Sequence, residues 1–376
     1  MSGWTTKKLG EVCESISTRG CQIQQNEICD IGKFPVVSQS EAFIEGYTDF
    51  ENAIENIPVV LFGDHTCCVK YIDFPFVVGA DGTKLLTAKQ FEVKFLYYAI
   101  LKISSSLVDG KYRRHFKDLK KCDIPIPPLA EQKRIVAKID AAFEKIDRLK
   151  ANAEKNLANA KELFQSALDE AMRPKKGWVE KRLGEVYEIT SSKRVFKSEW
   201  KTAGVPFYRA REIVKLAANG FVKNELFVSE EMYETYAQKY GIPKAGDIMI
   251  TGVGTLGVCY VVKEDDKFYF KDGNIIWLKK CSNDVDSKFI SLAFSTSPVR
   301  KQVLANAGTT VGTYTIIMAK NTVVQMPTIV EQKKIVNYVT GLRRQIEILQ
   351  QNYERQIADC AEMRQAILRE AFEGRL

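Results

Sequence analysis

The sequence is poor in the residues on which much catalysis and metal binding depend. Of its 376 residues two are histidine, and its nine cysteines form no Cys-x-x-Cys pair. Zinc ligands are therefore in short supply, and a Ser/His/Asp arrangement has almost no material to draw on. No Gly-Lys-Ser/Thr loop is present to cradle a nucleotide phosphate. No apolar run approaches the roughly 18 residues of a membrane span, and the opening MSGWTTKKLGEV has no signal-peptide core, so the expected location is cytoplasmic. The cysteines then read as reduced, buried thiols. Proline occurs 11 times but never within residues 131–172 or 331–372.

Those two proline-free stretches are copies of one another. Glu131, Gln132, Lys133, Ile135 and Val136 return 200 residues later as Glu331, Gln332, Lys333, Ile335 and Val336, and Leu168, Glu170 and Ala171 return as Leu368, Glu370 and Ala371. No residue is gained or lost between. Apolar residues step by three and four through Ile139, Phe143, Ile146, Leu149 and Leu157, and through Val339, Leu342, Ile346, Leu349, Tyr353 and Ile357. That spacing is the seam of a coiled coil. About 42 residues at 1.5 Å rise give a rod of roughly 63 Å, whose seam needs a partner to cover it. Any helical hairpin would share the spacing, but a conserved length between copies is the property of a spacer.

The remainder repeats as well. GWTTKKLGEV at 3–12 returns as GWVEKRLGEV at 177–186, seven of ten identical at an offset of 174. Asp81-Gly82 answers Asp272-Gly273 at 191, Lys94-Phe95 answers Lys288-Phe289 at 194, and Pro127 answers Pro327 at 200. A growing offset is what two domains of one fold produce when their loops differ in length. The expected division is a first domain at 1–130, a long helix at 131–172, a second domain at 173–330 and a second long helix with its tail at 331–376. Each domain should be mixed: β-like runs at 58–62, 69–78, 247–251 and 258–262, helices at 91–105 and 288–304, then a Pro-containing break that launches the rod. The class is α+β: two tandem mixed α/β domains separated by two long helices in an antiparallel coiled coil, a cyclic pseudo-twofold repeat.

Net charge is +8, unevenly spread. Residues 1–130 hold 15 basic and 16 acidic groups, whereas 173–330 hold 24 against 16, a surplus that favours a polyanion. Between Lys102 and Lys121 seven Lys/Arg face two Asp, although basic runs are also ordinary solvated faces.

GVGTLG at 252–257 fits Gly-x-Gly-x-x-Gly, but strand-like VCYVV follows where a dinucleotide site needs a helix, so a hairpin is expected. Asp81 with Glu92 and Lys94 superficially suits a metal nuclease; the second copy lacks the pattern. What remains is basic, aromatic and hydroxyl loop chemistry. The DNA-binding candidates are Lys111, Tyr112, Arg113, Arg114 and Lys117; Lys193, Arg194 and Lys197; Tyr208, Arg209 and Arg211; Thr251 and Thr255; and Thr309, Thr310 and Tyr314. Arginine can pair with guanine edges, lysine with phosphate, and threonine with phosphate oxygens.

These residues together resemble one family, the DNA specificity subunit of Type I restriction-modification systems. The resemblance rests on Pro127 with Glu131-Gln132, Pro327 with Glu331-Gln332, the two LGEV starts, the GDIMIT run with GVGTLG, and the EAFEGRL ending. In the first copy GDHTCCV stands in place of GVGTLGV. The resemblance implies two target recognition domains that each read half of a split site in double-stranded DNA. It implies a helical spacer that docks two modification subunits, with restriction subunits joining through the complex. S-adenosylmethionine, ATP and Mg would then belong to partner subunits, and this chain would be a non-catalytic subunit that binds no cofactor and no metal. A specificity subunit of a methylation-only or Type II-like assembly fits the same residues. A coiled-coil scaffold with two protein-binding domains is the reading from a different class, and it forecasts no salt-dependent DNA affinity.

Overall fold

A computed structural model describes residues 3–79, 82–108, 112–305 and 312–376. The chain divides into two compact units, Met1–Asn156 with Asn352–Leu376, and Leu157–Gln351.

In the first unit β1 (Thr5–Lys8) pairs antiparallel with β9 (Asp123–Ile126), Thr5 opposite Ile126. The LGEV stretch forms the single turn α1 (Leu9–Val12), with Leu9 and Val12 buried and Leu9 N donating to Cys122 O at 2.9 Å. Gly10 packs closely there, since a Cβ would come within 3.2 Å of the Lys120 carbonyl oxygen. A four-stranded antiparallel sheet follows in the order β2 (Cys13–Ile16), β8 (Thr83–Ala88), β5 (Val59–Gly63), β6 (Val69–Ile72). A three-stranded sheet has the order β4 (Gly46–Thr48), β3 (Phe34–Val37), β7 (Val77–Val78), with β3 and β7 parallel. Helices α2 (Val93–Leu107) and α3 (Phe116–Lys121) precede the long α4 (Leu129–Ala171).

The second unit repeats this plan. β10 (Val179–Arg182) pairs with β18 (Val323–Met326), and its LGEV forms α5 (Leu183–Val186), with Leu183 N on Thr322 O at 2.9 Å. The four-stranded sheet runs β11 (Tyr187–Thr190), β17 (Ile275–Lys280), β14 (Ile248–Thr251), β15 (Cys259–Val261). The three-stranded sheet runs β13 (Phe227–Val228), β12 (Val205–Tyr208), β16 (Tyr269–Phe270), and β12 and β16 are again the parallel pair. Helices α6 (Ala210–Asn219) and α7 (Glu230–Tyr240) lie between strands. Then α8 (Ser287–Ala293), α9 (Ser297–Val303) and α10 (Ile316–Asn321) lead to the long α11 (Ile329–Phe372). Among the described residues, no helix is long and apolar enough to cross a membrane.

Each unit holds one end of α4 and one end of α11, and each end is buried in that unit's core. In the first, Ile139, Phe143 and Ile146 of α4 cluster with Leu368, Ala371 and Phe372 of α11 and with Phe95 and Tyr98 of α2. There Arg134 meets the Leu376 carbonyl at 2.9 Å while Asp147 meets Arg364, so the two ends run antiparallel. In the second, Leu168 of α4 clusters with Ile335, Val336 and Val339 of α11. The Arg364 guanidinium lies 4.4 Å from the Phe143 ring centre in the first unit, and that of Arg343 lies 5.2 Å from Phe164 in the second. Phe143 and Arg343 are 200 residues apart, as are Phe164 and Arg364. The repeat thus makes one contact twice, with phenylalanine on α4 and arginine on α11 both times.

Some expectations require correction. Leu149 and Leu349 are 56% and 41% exposed rather than packed. Between Ile146 and Ala160 the fully buried positions of α4 are Ile146, Ala153 and Ala160, one per heptad, and so narrow a seam leaves its neighbours outside. Leu157, Leu342, Tyr353 and Ile357 are half-buried. The run 69–78 is two strands in different sheets, β6 and β7. The helix expected at 288–304 is two helices: Pro298 lies in the first turn of α9, where its missing N–H costs nothing, and it could not sit inside a continuous helix.

Asp247, just before β14, is a buried brace. Its Oδ2 accepts from Trp277 Nε1 at 2.8 Å and Lys244 N at 2.9 Å, and its Oδ1 accepts from Lys280 N at 2.9 Å.

Candidate nucleic-acid interface

In both units a hairpin loop of the four-stranded sheet is hydrogen-bonded to the segment preceding a short helix. In the second unit the loop joins β14 to β15, which pair antiparallel, so GVGTLG is a hairpin as the sequence indicated. Thr251 Oγ1 donates to the Thr255 carbonyl and accepts from Val258 N at 3.0 Å, closing the loop upon itself. Gly252 O accepts from Tyr314 N at 2.9 Å. A Cβ on Gly252 would fall 2.7 Å from the Tyr314 carbonyl oxygen, so this glycine serves close packing of two backbones. The first unit has the same bond, His115 N to Asp64 O at 2.8 Å, reinforced by Phe116 N on Asp64 Oδ1 at 2.9 Å.

Around the second hairpin three segments converge. Ser191 Oγ donates to Ile275 O at 2.8 Å and Ser192 Oγ to Phe270 O at 2.6 Å, pinning the chain after β11 to the sheet strands. Beyond the pins, Lys193, Arg194, Phe196 and Lys197 are all exposed, with Val195 turned inward. Arg194 Nε is 3.1 Å from Asp272 Oδ2, and Lys193 Nζ lies 4.9 Å from the Tyr240 ring centre. A cavity of about 400 Å3 is bounded by Ser191, Gly252, Gly273 and the 313–317 segment. The first unit brings the hairpin and the basic segment together differently: the His65 and Tyr112 rings stack at 4.8 Å and 5°, and Tyr112 is 86% exposed. Arg114 and Lys117 are exposed beside it, while Arg113 pairs with Asp118 at 2.5 Å. That hydrogen bond holds the Asp118 carboxyl below its usual range.

Several candidates have other work. Thr251 and Tyr314 are buried, the tyrosine OH lying 2.6 Å from Thr322 Oγ1, so neither can touch DNA from its present position. Burial pushes the Tyr314 phenol well up. Tyr208 ends β12, half-buried against Phe268 at 4.8 Å between ring centres. Arg209 is the loop residue preceding α6 and Arg211 lies in that helix's first turn; both clasp the buried Glu212, with Glu225 adding to Arg211. Thr255 is exposed at the hairpin tip. Lys111, Thr309, Thr310 and Asp81 lie outside the described residues. Of the groups that remain, Glu92 precedes α2 and Lys94 is paired with Asp140 at 2.8 Å. Among the described residues no cluster of three or more His, Cys, Asp or Glu could hold a metal ion.

The Glu212 cluster carries a pH signature. Burial raises Glu212, but hydrogen bonds from Arg209 and Arg211 outweigh it and hold the carboxyl below its ordinary value. A lowered folded value means the stabilisation is complete above about pH 4.5 and declines as pH falls through the folded value. Glu212→Gln should therefore cost about 1 to 3 kcal/mol near neutral pH. Thermal melting of both proteins from pH 7 to 3 should show the difference shrinking on acidification; a constant difference would refute the ion-pair account.

The family model for the type I restriction modification DNA specificity domain matches residues 1–158 and again 175–357. The chain belongs to this family. The two matches fall on the two copies that the repeat and the strand orders define. A Haemophilus influenzae protein named as a type I restriction enzyme specificity subunit, S.HindORF215P, is 27% identical over 336 residues, covering 83% of each chain. The specificity subunit of the Escherichia coli type I enzyme EcoR124I/EcoR124II is 24% identical over 237 residues, 59% of this chain and 58% of that one. Among solved structures, a chain of a type I restriction-modification system superposes with a TM-score of 0.75 at 20% identity, covering 100% of this chain and 99% of the other. The HsdS subunit of Thermoanaerobacter tengcongensis gives 0.59 at 19%, covering 100% and 98%. This is a specificity subunit, and its fold is theirs.

Sequence reasoning missed three features of this specificity subunit. His65 is not among the candidates, yet it lies in the hairpin turn and stacks with Tyr112. Phe196, 60% exposed among lysines and arginines, carried no periodic signal. Gln132 and Gln332 were visible as a repeated pair, yet nothing in the pattern said what they bond.

Proposed function

We propose that this specificity subunit reads a bipartite DNA site, one half by each unit, with α4 and α11 forming an antiparallel coiled-coil spacer in a cyclic pseudo-twofold body. The supporting observation is the pairing of identical strand order with dissimilar loops. Shared sheets give both units one way of meeting DNA, and unlike loops, with the His65–Tyr112 stack in one and the exposed 193–197 segment in the other, give unlike half-sites. The subunit would direct two modification subunits to that site, and restriction subunits would join through the complex. S-adenosylmethionine, ATP and Mg would be bound by those partners.

The decisive experiment is adenine-methylation sequencing of host DNA with and without this gene, in the presence of its modification partner. A motif of two unlike halves around a fixed gap is expected. No gene-dependent motif beside a methylation-competent partner would sink the proposal. A subsidiary result concerns Lys197, exposed in the basic loop: Lys197→Ala should weaken binding of all sequences alike and reduce the slope of log K against log salt by about 0.9. A change confined to one base position would reassign Lys197 to base reading.

A further inference from the structure

The Glu-Gln at the start of each long helix places a buried amide where three chain segments meet. Gln132 is 2% exposed; its Oε1 accepts from Glu92 N at 3.0 Å and its Nε2 donates to Pro127 O at 2.8 Å. Gln332 is 1% exposed; its Oε1 accepts from Asp286 N at 2.8 Å and its Nε2 donates to Pro327 O at 2.9 Å and Asp284 O at 3.1 Å. Glu92 and Asp286 are the residues preceding α2 and α8, while Pro127 and Pro327 directly follow β9 and β18. The bond from the helix-start amide and the bond to the proline carbonyl recur in both, although the partners' offsets differ, 194 for Glu92 and Asp286 against 200 for the prolines and glutamines.

The chemistry of the side chain is specific. A neutral amide of this length can accept from the N–H at the start of another helix and donate to the proline carbonyl five residues before it. Glutamate has no donor when ionised, asparagine is one methylene short, and a hydrophobic residue would leave buried backbone groups without partners. The location matters as much. Gln132 and Gln332 lie in the first turn of helices of 43 and 44 residues, each roughly 65 Å long. One degree of tilt at such a base displaces the far end by about 1 Å, and a base-pair rise is about 3.4 Å.

We infer that Gln132 and Gln332 are positioning residues that lock each long helix at a fixed angle to its own domain, and that this lock sets the single gap length the subunit accepts. The inference rests on the bipartite reading proposed above. In the isoster Gln→Met the side-chain volume is kept and the amide's bonds are lost, two at Gln132 and three at Gln332. The domain keeps its loops, so its half-site preference should not change; its angle to the helix is freed.

Two measurements on the full chain test this. Hydrogen exchange at the Asp286 amide should accelerate about tenfold in Gln332→Met, and that of Glu92 likewise in Gln132→Met; tenfold corresponds to about 1.4 kcal/mol. Methylation sequencing should then show both half-sites unchanged in sequence but methylated at gaps one base pair shorter and longer, at least tenfold above the wild-type background. Lower thermal stability with an unaltered single gap would overturn the inference and leave the glutamines a purely structural role. Should the double variant not fold, either single variant carries the test, since the other clamp is intact. A wild-type subunit that yields no bipartite motif would defeat the functional reading instead, and the exchange measurement would still report on the clamp.

Discussion

Removing seven residues from α4 alone, leaving α11 at full length, is expected to lower methylation at the natural site by at least about 100-fold. Seven residues are close to two turns and about 10 Å of helix, the rise of about three base pairs. Three base pairs also rotate one half-site by nearly a third of a DNA turn relative to the other. A spacer cut in this way therefore fails in distance and in phase together. Placed between Arg134 and Asp147, the one-sided cut also prevents Asp147 from meeting Arg364 while Arg134 meets the Leu376 carbonyl. Removing a heptad from both helices keeps register, so the double deletion should recover folding, measured by melting, without recovering the natural gap. Methylation at the natural gap by the double deletion would show that the helices do not measure DNA.

Asp247→Leu is expected to destabilise the second unit by about 3 to 6 kcal/mol. The carboxylate satisfies Trp277 Nε1 and the backbone amides of Lys244 and Lys280, and leucine would leave the buried indole N–H and two part-buried amides without their acceptor. A fully buried orphan costs about 1 to 3 kcal/mol, and a part-buried one falls at the low end of that range. Asp247→Asn keeps one acceptor oxygen and should lose less than the leucine variant. Urea denaturation followed by tryptophan fluorescence reads the effect, and equal losses in the two variants would contradict the brace. Trp277 lies in β17, so the probe reports on the sheet affected.

The architecture was legible in the sequence to an unusual depth because the chain states it twice. Offsets of 174, 191, 194 and 200 gave the order of elements, and the strand orders of both units agree with it. Legibility stopped where tertiary packing overrides pattern. Leu149 and Leu349 obey the heptad and are exposed, because periodicity records a face without recording how wide the neighbour covering it is. The interface was harder still. Arg209 and Arg211 have the composition of a DNA-reading loop, but Glu212 claims both, and that pairing depends on a helix start that local sequence did not announce. Thr251 and Tyr314 carry hydroxyls that DNA could use, but in the fold the first closes a loop and the second bonds Thr322. Residue type names what a group can bond, and only the fold decides which partner arrives first.

The two contacts of guanidinium on phenyl ring have a bearing on which helices the chain accepts as mates. Phenylalanine stands on α4 and arginine on α11 in both units, so neither helix is complementary to itself. Two copies of α11 brought together in the same register would set guanidinium against guanidinium at both positions, whereas α4 with α11 gains roughly 0.5 to 1 kcal/mol at each. By placing the rings on one helix and the cations on the other, this chain favours unlike over like helix pairs.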